Sequence, residues 1–143
     1  SADYDSCIKV AMWLTHQAYQ MESAPKPSRE ISHYLQDYFG KIKANSSTCT
    51  ICKELLSFNL FAKAKRGKAE IETCHKNPRL HSPDNVGFAH RFCNIAQGGK
   101  TLDEFYQWIA GILGSMAFHL QHQVNIGYWI FFNKNLFNVF VCK

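Results

Sequence analysis

Two short ligand pairs constrain this chain more than any other feature. Cys49 and Cys52 stand as Cys-x-x-Cys, and His90 and Cys93 as His-x-x-Cys. Each pair sets two soft or borderline donors one short turn apart, and four such donors match the tetrahedral preference of Zn²⁺. An ion that joins them folds the loop carrying Cys49 back onto the segment that ends at Cys93, whatever lies between. Such a zinc is structural, because four protein ligands leave no position for water. The competing reading, free thiols beside a core histidine, does not account for two matched half-sites.

A length of 143 residues suits a single domain with a real core. The expected divisions within it are a helical part at 1–44, a core at 45–100, a helix at 101–123 and an aromatic β tail at 124–143. Hydrophobic residues make up 46% and charged residues 19%, which excludes a chain too polar to fold. Six cysteines invite a disulfide scaffold, yet the Cys-x-x-Cys spacing and the absence of a secretory signal favour metal binding in a reducing, cytoplasmic setting. The apolar run Val10 to Leu14 is too short to span a membrane, and asparagines break the aromatic tail, so no membrane association is expected. Charge is uneven. Between Lys41 and Lys100 eleven basic residues face four acidic ones, although the whole chain carries only +5. Such a segment suits a polyanion, most simply duplex DNA, better than it suits an idle solvated face.

Read in order, residues Cys7 to Met21 predict a helix with Ile8, Ala11, Met12, Ala18 and Tyr19 towards one side, Asp3, Asp5 or Ser6 near its start, and His16 on the polar side. The prolines in Glu22 to Pro27 break it. Ser28 then caps a second helix whose stripe is Ile31, Tyr34, Leu35, Tyr38 and Phe39, with Gly40 as its stop. Lys63 to Lys68 forms a basic turn. Ala69 to Cys74 alternates as a strand with Glu70, Glu72 and Cys74 on one face, and Asn85 to His90 gives a second. A helix runs from about Arg91 to Gly98, and the capping box Thr101-Leu-Asp-Glu104 opens a longer one with Leu102, Phe105, Trp108, Ile109, Ile112 and Leu113 as its buried stripe. His119 and His122, three apart, are a weak metal candidate with no carboxylate or cysteine nearby. Tyr128 to Phe132 and Leu136 to Val141 predict a C-terminal β-hairpin, apolar enough to need the core, a second copy or a larger protein partner as cover.

Between and beside the ligand pairs lie residues suited to phosphodiester hydrolysis, which needs a base for water and an electrophile for the phosphate. His75 ends the first strand and can accept a proton near neutral pH. Asn94 offers a hard oxygen suited to Mg²⁺ or Mn²⁺. The run Cys74-His75-Lys76-Asn77-Pro78, then Asn85, then His90-Arg91-Phe92-Cys93-Asn94-Ile95-Ala96-Gln97, resembles the HNH endonuclease family. That family's pattern is Asp-His-x-x-Pro, Asn, and Cys-x-x-Cys-Asn-x-x-Lys, often with an upstream Cys-x-x-Cys. The resemblance covers about Cys49 to Lys100 and leaves both flanks outside. It implies a small ββα-metal core with a zinc knot; together with the N-terminal helices, the following long helix and the C-terminal hairpin read from the residues, the expected fold is α+β.

It further implies a metal-dependent DNA endonuclease of a restriction, defence or mobile-element kind. His75 would be the general base, Asn85 the residue that orients it and Asn94 a metal ligand, with structural Zn²⁺ on Cys49, Cys52, His90 and Cys93. Phosphate contacts would fall to Lys76, Arg79, Arg91 and Lys100. Three positions depart from the pattern: His90 replaces a cysteine, Gln97 a lysine, and Cys74 the aspartate that binds the catalytic metal. For the last, three accounts stand open. Glu72 supplies the carboxylate; or the site takes a softer ion such as Mn²⁺ or Zn²⁺; or catalysis is lost and a zinc-stabilised nucleic-acid-binding module remains. Cys74→Asp should raise or preserve Mg²⁺-dependent cleavage, since it restores a hard oxygen ligand. A nuclease subunit of a larger complex completes the set of readings, with a homodimer or a larger protein partner through the C-terminal tail as the expected assembly.

Overall fold

The structure, a computed structural model, describes residues 3–62 and 69–123. The basic turn at Lys63 to Lys68, the C-terminal hairpin and the side chains of His119 and His122 lie outside the described residues. The chain divides into two compact units, Ser1–Asp103 and Glu104–Lys143.

In the first unit, α1 spans Tyr4–Ala18. It starts earlier than the apolar pattern predicts because the Asp3 carboxylate accepts from the Ser6 N–H at 2.9 Å and from the Ser6 hydroxyl at 2.8 Å. Its buried residues are Val10 and His16, so the expected stripe is wrong by a rotation. Ile8, Ala11, Met12 and Tyr19 instead line an open apolar groove shared with Ile31 and Tyr34. His16 is not on a polar face. Its Nδ1 lies 3.1 Å from the Gln20 amide nitrogen, which can only donate, so its Nε2–H donates to the Gly40 carbonyl at 3.0 Å. Stacking on Trp13 completes the burial of a hydrogen-bonded ring.

Helix α2, Arg29–Phe39, is capped by Ser28 and ended by Gly40 at φ +78°, where a left-handed backbone suits glycine. Only Leu35 of its stripe is buried; Ile31, Tyr34 and Tyr38 are exposed, because amphipathic spacing specifies a helix without specifying its cover. After α3, Phe58–Ala62, come β1, Ile71–His75, and β2, Val86–His90, paired antiparallel with Cys74 opposite Gly87 and His75 opposite Val86. Helix α4, Arg91–Gln97, follows β2 without a break and packs on both strands.

Two tethers fix the hairpin. The Trp13 indole donates to the Val86 carbonyl at 2.9 Å, and Thr50 donates to the Phe88 carbonyl from both its N–H at 2.9 Å and its hydroxyl at 3.0 Å. The second tether explains Gly87, where any Cβ would collide with Thr50 Oγ1. The core contains Met21, Leu56, Ile71, Val86, Phe88 and Ala89. The strand does not alternate as predicted, since Ile71 and Cys74 are both buried.

Helix α5 spans Leu102–Gln123. Within the second unit Phe105 is buried and stacks on Trp108, but Trp108, Ile112 and Leu113 are exposed, so the predicted stripe is covered only at its start. Among the described residues no helix is long and apolar enough to cross a membrane.

Candidate metal centre and histidine site

The ligand atoms of Cys49, Cys52, His90 and Cys93 all lie within 4.8 Å of one another. Among the described residues this is the one group of His, Cys or carboxylate side chains that converges in this way. A tight turn delivers the first pair: the Cys49 N–H donates to the Glu54 carbonyl at 2.8 Å, the Lys53 N–H donates back to Cys49 at 3.0 Å, and Lys53 takes φ +67°. The second pair straddles the junction of β2 and α4. Cys52 Sγ is 3.4 Å from His90 Nδ1, against about 3.6–3.8 Å for the edges of a zinc tetrahedron built from such ligands.

Protonation agrees with a cation-seeking cluster. Burial opposes ionisation of Cys49, but N–H groups of Cys52, His90 and Ile51 outweigh it and hold the thiol below its ordinary value. Burial, then the neighbouring Cys49, raises Cys52. Burial and crowding by Cys49 and Cys52 push Cys93 up to about 12. Three thiols so close cannot all ionise without a positive ion, so the donor set fits a tetrahedral soft metal.

The residues read as catalytic fall around the same hairpin. Asn94 reaches from α4 across β1, its Nδ2 donating to Glu72 Oε2 at 3.2 Å, and Arg91 Nε lies 3.6 Å from the other Glu72 oxygen. A carboxylate and a side-chain amide thus meet, and the Glu72 charge faces the Arg91 guanidinium. Cys74 is not with them. It is 1% exposed, its thiol within hydrogen-bonding reach of Thr50, and burial raises its pKa. Its side chain therefore belongs to the packing beneath the Cys-x-x-Cys turn.

His75 Nε2 lies 3.0 Å from His81 Nδ1. Burial, followed by the charge His81 can carry, lowers the His75 pKa. Asn85 does not spend its side chain on the His75 ring: its Oδ1 accepts from the Asn77 N–H at 2.9 Å, and its Nδ2 donates to the carbonyls of Asn77 at 2.9 Å and Leu80 at 2.6 Å. Gln97, in the place of a lysine, is buried, and its amide donates to the carbonyls of His75 and Lys100 at 2.9 Å each.

Of the basic residues, Arg79 is exposed, Lys76 Nζ donates to the Asp84 carbonyl, and Arg91 leans on Glu72. Sequence reasoning missed His81 and Thr50, and read Gln97 only as a departure from the pattern, without its buried clamp on His75 and Lys100. The available signal for His81 was a second histidine inside the loop that Asn85 closes.

A family model described as DraIII matches residues 1–93. The chain also superposes on a crystal structure of a type II restriction endonuclease with a TM-score of 0.77 and 52% sequence identity, over 81% of this chain and 56% of that one. It thus spans little more than half the length of that relative. No curated protein matches the chain significantly.

Proposed function

The chain belongs to the DraIII family, and on that premise we propose that it is a metal-dependent DNA endonuclease of the restriction type, built on an HNH-like ββα core. One observation carries the reading. His75 at the end of β1 and the Glu72–Asn94 pair between β1 and α4 occupy one hairpin-and-helix unit, whose base holds the Cys49, Cys52, His90 and Cys93 cluster.

His75 is the general base. A pKa below the usual histidine value keeps it neutral at pH 7, able to take a proton from the attacking water. Glu72 and Asn94 would hold Mg²⁺ or Mn²⁺, which supplies Lewis-acid stabilisation to the phosphate and the departing oxygen. His75 takes a proton from the water as its oxygen forms a bond to phosphorus and the bond to the 3′ oxygen breaks; the 3′ oxygen takes a proton from solvent, leaving a 5′-phosphate and a 3′-hydroxyl. Gln97 fixes the backbone at His75 while this happens. Cys49, Cys52, His90 and Cys93 would hold Zn²⁺, which would brace the hairpin without entering the chemistry. Arg79, Lys100, Lys76 and Arg91 lie on the same short segment and suit phosphate contacts, which set the duplex in register. Two copies related by a two-fold axis are the simplest means of cutting both strands.

Supercoiled plasmid incubated with the protein and Mg²⁺ or Mn²⁺ tests this. Nicked or linear product bearing 5′-phosphate ends is expected. Intact plasmid with every divalent ion, under conditions where the protein binds DNA, would leave only the binding-module reading.

A further inference from the structure

We propose that His81 is the positioning residue that sets the ring orientation and tautomer of His75, so that His75 Nδ1 is the atom that takes the proton from water. The inference deepens the nuclease reading and rests on it for the role of His75. Two imidazole nitrogens 3.0 Å apart share one proton between them. If His81 donated it, the neutral His75 ring would accept at Nε2 and carry its own proton on Nδ1, and no lone pair would remain to serve as a base. If His75 Nε2–H donates to His81 Nδ1, the Nδ1 lone pair is left for water.

His81 is exposed, yet its loop is not loose. Asn85 ties Asn77 and Leu80 through three side-chain hydrogen bonds. Its own N–H donates to the Ser82 carbonyl at 3.0 Å, and its carbonyl accepts from Lys76 at 2.9 Å. The Asn77 side chain accepts from the Arg79 N–H at 3.0 Å, and the Leu80 N–H donates to Asn77 at 3.1 Å. These bonds bracket residue 81 on both sides and hold its ring 5.3 Å, centre to centre, from that of His75. Asn85 therefore acts on the base through the loop, and His81 makes the contact. A shared metal is the weaker account of the pair, since among the described residues no third His, Cys or carboxylate converges on it.

The test uses the whole chain with its zinc retained. Two-bond ¹H–¹⁵N correlation of the histidine rings near neutral pH should show His75 protonated on Nε2. In His81→Leu the two His75 tautomers should mix, and kcat for Mg²⁺-dependent cleavage should fall by about 10–100-fold with KM little changed, the range expected for a misaligned base. His81→Asn keeps an acceptor at the position of Nδ1 and should recover most of the rate and the single tautomer. A His75 proton on Nδ1 in the wild type, or a His81→Leu protein with unaltered tautomer and kcat, overturns the proposal. Absence of cleavage alongside the Nε2–H tautomer would remove the nuclease reading and leave the hold of His81 on the ring standing.

Discussion

Replacing Cys52 by serine distinguishes a metal centre from a chance cluster of thiols, because the residue is exposed and contributes little packing. Without a metal, such a surface change stays within about 0.5 kcal/mol. With one, the binding energy of a structural zinc site, about 10–16 kcal/mol over four ligands, puts the loss of one ligand on the order of 3–4 kcal/mol. That is a large part of a typical domain stability of about 5–15 kcal/mol. A two-stranded sheet is marginal alone, so the hairpin depends on the cluster at its base as well as on its Trp13 and Thr50 tethers and on α4. For a unit near 100 residues, 3 kcal/mol corresponds to roughly 10–20 °C in Tm. Thermal unfolding of Cys52→Ser, with Cys7→Ser as a control cysteine outside the cluster, and zinc release titrated per chain, supply the measurement. A wild type carrying no zinc, with Cys52→Ser and Cys7→Ser melting together, would refute the reasoning.

Other perturbations probe the surroundings. Gln97→Ala strips the His75 and Lys100 carbonyls of their donor, at about 1–3 kcal/mol each, and should lower both Tm and cleavage rate; an unchanged Tm would contradict the buried clamp. Because the folded His75 has a lowered pKa, its neutral form persists below the ordinary midpoint of about 6.5, so the acid limb of kcat/KM should fall below that pH. An acid limb above it would contradict the assignment. Cys74→Asp, expected from sequence to preserve or raise activity, should instead destabilise by at least about 2 kcal/mol, since it buries a carboxyl beside Thr50. Chemical denaturation reads that directly, and a stable, more active Cys74→Asp would restore Cys74 to the metal site. Gly87→Ala should cost about 1–3 kcal/mol through its collision with Thr50 Oγ1, and wild-type stability would show that Thr50 gives way freely.

The parts of the fold legible in the sequence are those governed by local chemistry. Ser28, Gly40 and Gly98 bound their helices as capping rules require, and the two ligand pairs converge as their spacing demands. What failed depended on tertiary partners. The stripe of α1 faces a groove, and His16 is satisfied by Gly40 and Gln20, contacts that no periodicity encodes. Likewise Glu72 and Cys74 share a parity along β1 but not an environment, because Thr50 covers Cys74 while Asn94 meets Glu72. The HNH resemblance began at Cys49, whereas the DraIII match starts at residue 1 and takes in both N-terminal helices. Trp13 shows why they belong together, since its indole is bonded to the strand beside the site.

Single-turnover cleavage of duplex DNA by His75→Ala, compared with wild type at equal zinc content and equal DNA binding, decides whether His75 is the general base. Loss of the general base should slow cleavage by about 10²–10⁴-fold while leaving affinity for the duplex unchanged. A His75→Ala protein that cuts at the wild-type rate would contradict the account.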